Sequence, residues 1–300
     1  MKYYIGIDLG GTNVRTLLVD ENGESYSEVK GPTECENGPD YVCDKIIKQI
    51  EALDTSVCGG LQGVEGIGIG APGPVDTELG IMIMASNLPG FENYPICHKL
   101  KEKFGLPTFI DNDANVAGLA EAVLGAGKDY KTNYFITCST GVVDKKLVSG
   151  GRGHAGEIGN MILVPGGYKQ GALNPGAVEG EISGTALTRK GKEAKGDLVK
   201  HAGDVFKLAA EGDEACQKIA EEFIDGFSTL LANVAHTVDP HCLVLGGGVF
   251  KSKAYFWDEL EKRFNSKIHV GMRNHIPLLF KEIDDCGAIG AAMLPMSQLD

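Results

Sequence analysis

The chain has 300 residues, which is enough for two domains with a core in each. A hydrophobic content of 43% and a charged content of 23% are typical of a folded soluble protein. The net charge of −13 argues against a nucleic-acid partner, because such a partner needs a basic surface. No apolar run reaches 18 residues and no signal-peptide pattern opens the chain, so we expect no membrane contact and a cytoplasmic location.

The frequencies and positions of glycine and cysteine predict many tight turns and no disulfide bonds. The 42 glycines are about twice as frequent as the usual ~7%, and they stand in short clusters that predict many tight turns. The eight cysteines form no Cys-x-x-Cys pair, and several lie in apolar runs. We therefore expect reduced, buried thiols rather than a disulfide framework.

The first predicted element is a β-hairpin. An apolar strand runs from Tyr4 to Asp8, a glycine-rich turn follows at residues 10–12, and a second strand ends at Asp20. An Asn-Gly dipeptide then predicts another turn, with a third strand near Ser25–Lys30.

The first turn carries a candidate phosphate site. The backbone amides of its glycines and the hydroxyl of Thr12 can form an anion-binding nest. Asp8 would repel phosphates there unless a divalent cation, held through water, lies between them. The Gly-Lys-Ser/Thr ending of a P-loop is absent. Taken alone, the pattern also fits an ordinary glycine-rich hairpin.

The next segments alternate between helix and strand patterns. Asp40–Leu53 has the apolar spacing of an amphipathic helix, and a strand from Val64 ends in a Pro-Gly turn. Residues 68–73 match the dinucleotide pattern GxGxxG, but no helix pattern follows and Pro72 stands among the glycines. We therefore reject a dinucleotide site at this position.

The middle of the chain predicts a strand that leads into a helix through a polar segment. A helix around Cys97–Phe104 precedes the short strand Thr108–Ile110. Residues 111–115 read Asp-Asn-Asp-Ala-Asn, and a helical pattern then continues to Gly125.

The second half repeats this kind of organisation. It contains the strand Tyr134–Cys138, the long helix Ile219–Val238, the buried strand Cys242–Leu245 before three glycines, and helices near Ala254–Phe264 and Cys286–Met293. Each half begins with strand, glycine turn and strand. This weak internal similarity suggests two related α/β domains with a cleft between them.

Five short segments stand in a characteristic order and together span nearly the whole chain: Ile7–Thr12, Gly68–Gly73, Asn112–Asn115, Gly156–Gly159 and Leu245–Gly248. In this order they resemble the ROK family (repressor, open reading frame, kinase). The resemblance implies an actin-like, ribonuclease-H-like α/β fold and a homodimeric kinase that transfers phosphate from ATP to a hexose or an N-acylhexosamine. ROK repressors carry a helix-turn-helix domain before the hairpin, and only seven residues precede the hairpin aspartate here, so we do not expect a repressor.

The resemblance also suggests where the two domains divide. We expect an N-terminal α/β domain over residues 1–114 and a larger C-terminal α/β domain over residues 115–285. A C-terminal helix at about 286–300 could pack back on the first domain.

Asp113 is the predicted catalytic base. A sugar hydroxyl is a poor nucleophile, so a carboxylate must accept its proton as the new bond to phosphorus forms. Asp113 matches the base of the family and lies between a predicted strand and helix, although on spacing alone it fits a plain N-cap better. Asp111 is the neighbouring competitor, but strand alternation directs it away from Asn112 and the family match falls on Asp113.

The resemblance implies two further sets of binding residues, together with Mg²⁺ as the metal. The predicted sugar contacts are Asn87, Asn112, Asp113, Glu157, Asn160 and Glu179. The predicted ATP contacts are Asp8 (through Mg²⁺ and water), Gly10, Gly11, Thr12, Asn13, Arg15, Thr140, Gly141, Gly247 and Gly248.

The chain departs from the family at the structural zinc site. ROK proteins commonly bind zinc with one histidine and three cysteines, which are the ligands that such a site needs. The corresponding positions are Asn160, Gln170, Ala172 and Ala177, so we predict no zinc. Asn160 could still reach a sugar hydroxyl with its amide and shift the specificity.

A second departure follows Gly141, where Val142-Val143 leads directly to Asp144 and the hairpin is about four residues shorter than usual. Either the second phosphate nest is shortened or a flexible piece is absent from the sequence.

We expect a glucose-like hexose to be phosphorylated at its 6-hydroxyl. The alternatives are a kinase for N-acetylmannosamine, allose, fructose or a β-glucoside, and a catalytically impaired sugar-binding or regulatory protein. A dehydrogenase is excluded unless a helix directly follows Gly73.

Overall fold

The computed structural model describes residues 1–85, 87–137, 140–151 and 154–299. The described residues form two compact units. The first unit combines residues 1–135 and 140–156 with the C-terminal segment from Lys281, and the second unit contains 136–139 and 157–280. No helix of this described part is long and apolar enough to cross a bilayer.

Strands and helices alternate along the chain, and each is labelled here in chain order. The strands β1 to β12 are Tyr3–Leu9, Asn13–Asp20, Ser25–Pro32, Val64–Ala71, Val75–Asp76, Ile81–Met82, Thr108–Asn112, Thr132–Ile136, Thr140–Val143, Lys146–Leu147, Cys242–Leu245 and Leu278–Phe280. The helices α1 to α9 are Pro39–Glu51, Ile96–Phe104, Asp113–Val123, Val178–Ile182, Gly184–Lys195, Ala202–Ala210, Glu214–Val238, Trp257–Lys267 and Cys286–Leu299.

The main sheet of the first unit has the strand order β3-β2-β1-β4-β7. Strands β1, β2 and β3 form the predicted antiparallel meander, whereas β4 and β7 extend the sheet in parallel. The carboxyl ends of β1, β4 and β7 therefore meet at one edge, where parallel α/β sheets bind their ligands.

Both faces of this sheet are covered. Ile5 and Ile7 pack with α1 residues in one core, while Tyr4 belongs to a second core with residues of α3 and α9. This division follows from the two-residue period of a strand. Helix α9 packs directly on the sheet at Gly6 and Gly68, where an added Cβ would lie 2.0 Å and 1.8 Å from α9 carbonyl oxygens.

The segment after Gly73 confirms that the GxGxxG match is not a dinucleotide site. The chain continues from Gly73 into β5, and the described residues form no helix between this point and Ile96. The match therefore lacks the helix N-terminus that would hold a pyrophosphate.

The short hairpin after Gly141 is closed by a tight two-residue turn. Asp144 and Lys145 both adopt positive φ angles, of 48° and 61°, between β9 and β10. Positive φ at both central residues is the geometry of a type I′ hairpin turn. The chain thus forms a complete, short hairpin here.

Several predicted elements have different bounds in the structure, and one region was missed. Strand β7 continues past the predicted Ile110 to Asn112, and the predicted helix near Ala254 begins only at Trp257, because a 3-10 helix occupies Gly248–Tyr255. The predicted strand Tyr134–Cys138 begins earlier, at Thr132, and Cys138 lies outside the described residues. The helices over residues 178–210 were not predicted, and α5 buries only Ala186, Leu187 and Gly191.

Candidate active site

The hairpin turn between β1 and β2 keeps its carbonyl groups occupied. The Gly10 amide donates to the Asn13 carbonyl at 2.9 Å, and Thr33 binds the Thr12 carbonyl with its amide at 2.8 Å and the Gly10 carbonyl with its hydroxyl at 2.6 Å. Within the described residues, the amides of Gly11 and Thr12 donate no hydrogen bond. Two unsatisfied donors at a turn suit an anion.

Gly11 is required by the close approach of Asn87. A Cβ at Gly11 would lie 2.5 Å from the Asn87 carbonyl oxygen. Neither Gly10 nor Gly11 has a positive φ, so a left-handed backbone conformation is not what requires glycine at these positions. Lack of space explains Gly11 instead, and it brings the predicted sugar contact Asn87 beside the predicted phosphate site.

Carboxylates line the carboxyl ends of the parallel strands. Asp8 on β1 is in register with Gly70 on β4, and Gly70 is in register with Asp111 on β7. Neighbouring strands lie about 4.8 Å apart, so Asp8 and Asp111 are separated by about two strand spacings. Asp113 follows at the start of α3.

Asn112, rather than Asp113, caps helix α3. The Asn112 Oδ1 accepts a hydrogen bond from the Ala114 amide at 2.9 Å, and Asp113 is the first residue of the helix. The expectation that Asp113 might serve as the N-cap is therefore wrong. Asp113 Oδ1 shares the same amide at 2.7 Å, and its side chain remains exposed to solvent.

Asp111 and Asp113 differ in what their carboxyl groups can do. Asp111 is buried, and it accepts hydrogen bonds from Asn115 Nδ2 at 2.6 Å and from the Asn112 amide at 2.7 Å. Burial raises the pKa of Asp111, and these two donors oppose the rise. Partial desolvation by the surrounding protein also raises the pKa of Asp113, although its carboxyl group still reaches solvent, and the Ala114 amide opposes the rise. Asp113, an accessible carboxylate with a raised pKa, therefore suits a general base better than Asp111, which is buried and already accepts two hydrogen bonds.

Asp8 is a half-buried carboxylate that accepts no hydrogen bond from any described residue. Burial raises its pKa, the charges of Asp113 and Asp285 add to the rise, and Arg15 opposes it. Asp113 is therefore close enough to Asp8 to affect its ionisation. A cation would relieve this repulsion between carboxylates.

The surroundings of Asp8 fit a cation that takes most of its ligands from water and substrate phosphates rather than from protein side chains. The described residues contain no group of three or more histidine, cysteine or acidic side chains arranged to hold a metal. Mg²⁺ usually keeps several waters and binds through one or two carboxylates together with substrate phosphates. One unpartnered carboxylate near two unsatisfied amides fits that arrangement.

Arg15 and Asn13, two of the predicted ATP contacts, lie on β2. The Arg15 guanidinium bonds to Glu28 at 2.9 Å and to Asp285. Asn13 is exposed, and its carbonyl accepts the turn hydrogen bond described above. A nucleotide contact from either side chain stays a prediction.

Three predicted sugar contacts lie close together in the second unit. The Asn160 amide donates to the Glu157 carbonyl at 3.3 Å, and a Cβ on the intervening Gly159 would lie 3.5 Å from Glu179 Oε2. All three side chains are exposed. The Asn160 Oδ1 accepts the Asn174 amide at 2.7 Å, so hydrogen bonds join the two sides of the loop where the family pattern places zinc ligands. The absence of zinc stays a prediction.

The remaining predicted ATP contacts lie around β9 and β11. Thr140 and Gly141 begin β9, and the two residues before them lie outside the described part of the chain. Gly247 has a φ of 93°, and its Cβ would lie 2.9 Å from Thr137 Oγ1, whereas Gly248 faces open space. The space at Gly248 is compatible with a nucleoside.

Sequence reasoning missed several residues around Asp8. Thr33 binds the turn, Asp285 pairs with Arg15, and Gly287 lies against the Asp8 carboxyl group. Asp285 is separated from Arg15 by 270 residues, so no local pattern could have joined them. The small-residue composition of α9 was the available signal, because small residues allow close packing.

These features define a mixed α/β protein with the actin-like ATPase fold. The model of the ROK family matches residues 4–298, so the chain belongs to the ROK family. A glucokinase from Halalkalibacterium halodurans is 29% identical over 99% of this chain and 96% of its own length. An N-acetylmannosamine kinase from Shigella boydii is 28% identical over 98% of each chain.

A solved structure gives the same fold. The ROK family glucokinase from Streptomyces griseus, determined in complex with glucose and AMPPNP, is 28% identical and has a TM-score of 0.72 over 97% of this chain and 98% of its own. The predicted fold class and family are therefore confirmed.

Proposed function

We propose that the protein is an ATP-dependent sugar kinase that phosphorylates a glucose-like hexose at its 6-hydroxyl group. The observation that carries the proposal is the meeting of Asp8, Asp113 and the free amides of Gly11 and Thr12 at the carboxyl end of one sheet. A phosphate nest beside an accessible carboxylate is what phosphoryl transfer to a hydroxyl requires. The glucokinases among the relatives support glucose as the first substrate to test.

In this proposal, each side chain has a defined task. Asp113 accepts the proton of the sugar hydroxyl while its oxygen forms a bond to the γ-phosphorus. The bond between that phosphorus and the β,γ-bridging oxygen breaks, and ADP leaves with the electron pair. The amides of Gly11 and Thr12 hold the terminal phosphates. Mg²⁺ bound through water at Asp8 would neutralise their charge.

The remaining predicted contacts complete the proposal. Asn87, Asn112, Glu157, Asn160 and Glu179 would bind sugar hydroxyls. Thr140, Gly141, Gly247 and Gly248 would contact ATP. We also propose a homodimer, a cytoplasmic location, and the domain division at residues 114 and 285.

Asn160 supports a second candidate, a kinase for an N-acylhexosamine. Its Oδ1 accepts the Asn174 amide, and its Nδ2 is available as a donor to a sugar. A donor at this position can bind a hydroxyl oxygen or the carbonyl of an N-acyl group equally well. The N-acetylmannosamine kinases among the relatives make this alternative worth testing directly.

A coupled ADP-release assay tests the proposal. The purified chain is given Mg·ATP with glucose, mannose, fructose, allose, N-acetylglucosamine, N-acetylmannosamine and β-glucosides. We expect sugar-dependent ADP release, fastest with glucose. Release that is fastest with N-acetylmannosamine would select the second candidate. Sugar binding by calorimetry without ATP binding or ADP release would instead support an impaired sugar-binding protein and refute the kinase.

A further inference from the structure

The start of α9 lies directly against the carboxyl group of Asp8. A Cβ at Gly287 would lie 2.9 Å from Asp8 Oδ2 and 3.2 Å from its Cγ. The helix therefore limits where the carboxylate can lie, and a larger residue than glycine at position 287 would force the Asp8 carboxyl group to move. The same helix contacts β1 one pleat earlier, at Gly6.

The cation nearest to Asp8 in the β1–β2 hairpin is held by other acids. Arg15 lies directly opposite Asp8 in the antiparallel register. Directly opposed residues of opposite charge normally interact, since their Cβ atoms lie about 5 Å apart. Yet the Arg15 guanidinium bonds to Glu28 on β3 and to Asp285 before α9, and no described donor reaches Asp8.

Asp285 itself lies in a segment that is held in place by hydrogen bonds to helix α3. Glu121 is fully buried in α3, and its carboxylate accepts the amides of Glu282 and Ile283 at 2.7–3.1 Å and the Ala126 amide at 3.1 Å. A buried carboxylate satisfied by several backbone amides is a strong anchor. The segment that leads into α9 is thus held on both sides of Asp285, by Glu121 before it and by packing at Gly287 after it.

We propose that Asp285 is a positioning residue, which holds Arg15 away from Asp8 and so keeps the Asp8 carboxylate free for the metal–nucleotide complex. This inference rests on the proposed role of Asp8 in the kinase. Without Asp285, Arg15 would keep only Glu28 and could turn to the carboxylate opposite it. An Arg15–Asp8 pair would then compete with the cation for the same oxygens.

The test measures binding of Mg·ADP by calorimetry and of Mn²⁺ by electron paramagnetic resonance in the presence of ADP, using the full chain. Asp285→Asn should weaken both about tenfold, as expected for a residue that supports a metal ligand. Sugar binding and the melting temperature should stay near the wild-type values. Asp284→Asn is the matched control, because Asp284 is the exposed neighbouring acid and its loss changes the net charge equally.

A double variant separates this idea from a simple loss of structure. The single variant Arg15→Gln first measures any contribution of Arg15 itself to Mg·ADP binding. Relative to that variant, adding Asp285→Asn should cause little further loss of affinity, because the competing cation is already absent. Unchanged affinity in Asp285→Asn, or a further loss in the double variant, would overturn the inference while leaving the kinase proposal intact. A wild-type chain that binds no Mg·ADP would overturn the proposed function itself.

Discussion

Replacement of Asp113 by asparagine removes the proposed base while keeping its size and its hydrogen bond. Asn112 caps α3 independently, and an asparagine oxygen can still share the Ala114 amide. General-base catalysis contributes about 10²–10⁴ to a rate. We therefore expect Asp113→Asn to lower kcat by about 10²–10⁴, a barrier increase of roughly 3–5 kcal/mol.

The assay is ADP release at saturating glucose and Mg·ATP, with glucose binding measured separately by calorimetry. Binding should survive, because the variant keeps a polar side chain at the site. Asp111→Asn is the control: it removes the charge of the neighbouring buried carboxylate, while an asparagine oxygen can still accept the hydrogen bonds from Asn115 and the Asn112 amide, so the fold should survive. It should also retain far more of kcat. An Asp113→Asn variant that turns over near the wild-type rate would refute the assignment of the base.

Four further predictions rest on the same geometry. Because burial raises the pKa of Asp113 above 3.8 and the base must be ionised, the acidic limb of kcat/KM against pH should lie above 3.8; a limb at or below 3.8 would contradict this. Because the pKa of Asp113 is raised in the folded state, its ionised form destabilises the fold, and the free energy of unfolding falls as the pH rises from 3.8 through the folded-state pKa. Asp113→Asn should therefore melt at a higher temperature than the wild type at pH 7, but not below pH 3.8. Gly11→Ala should raise the KM for Mg·ATP, because its Cβ would lie 2.5 Å from the Asn87 carbonyl, and an unchanged KM would exclude the turn from the site. Gly6→Ala should lower the free energy of unfolding by about 1–3 kcal/mol in urea titrations, because its Cβ would overlap the Ala288 carbonyl; equal stability would mean that α9 does not pack there as described.

Local sequence patterns predicted the elements that organise the first unit. The β1–β2 hairpin, helix α1 and the strand-to-helix passage at Asp113 all have strong periodicity or turn signals, and the structure contains each of them. The N-cap was assigned to the wrong residue because β7 runs two residues further than its apolar pattern. The polar residues Asp111 and Asn112 continue the strand since Gly70 and Ala71 pair with them.

Other features could not be predicted because they depend on contacts between distant parts of the chain. Arg15 on β2 is a predicted nucleotide contact, but its pairing with Asp285 could not be predicted, because only the return of α9 to the sheet brings Asp285 near. Helix α5 was missed because it has few apolar residues. Its Arg189 lies over the Tyr168 ring at 3.6 Å, and Lys190 pairs with Glu222 at 3.1 Å. Such polar contacts stabilise a helix without leaving a hydrophobic period.

Product identification by ³¹P NMR tests the central claim most directly. Glucose, ATP and Mg²⁺ are incubated with the purified chain, and the phosphorus spectrum is followed over time. The expected result is a sugar monoester resonance, split by the two protons on carbon 6, that grows in step with ADP. Inorganic phosphate as the only new product beside ADP, or an unchanged ATP spectrum with every sugar supplied, would contradict it.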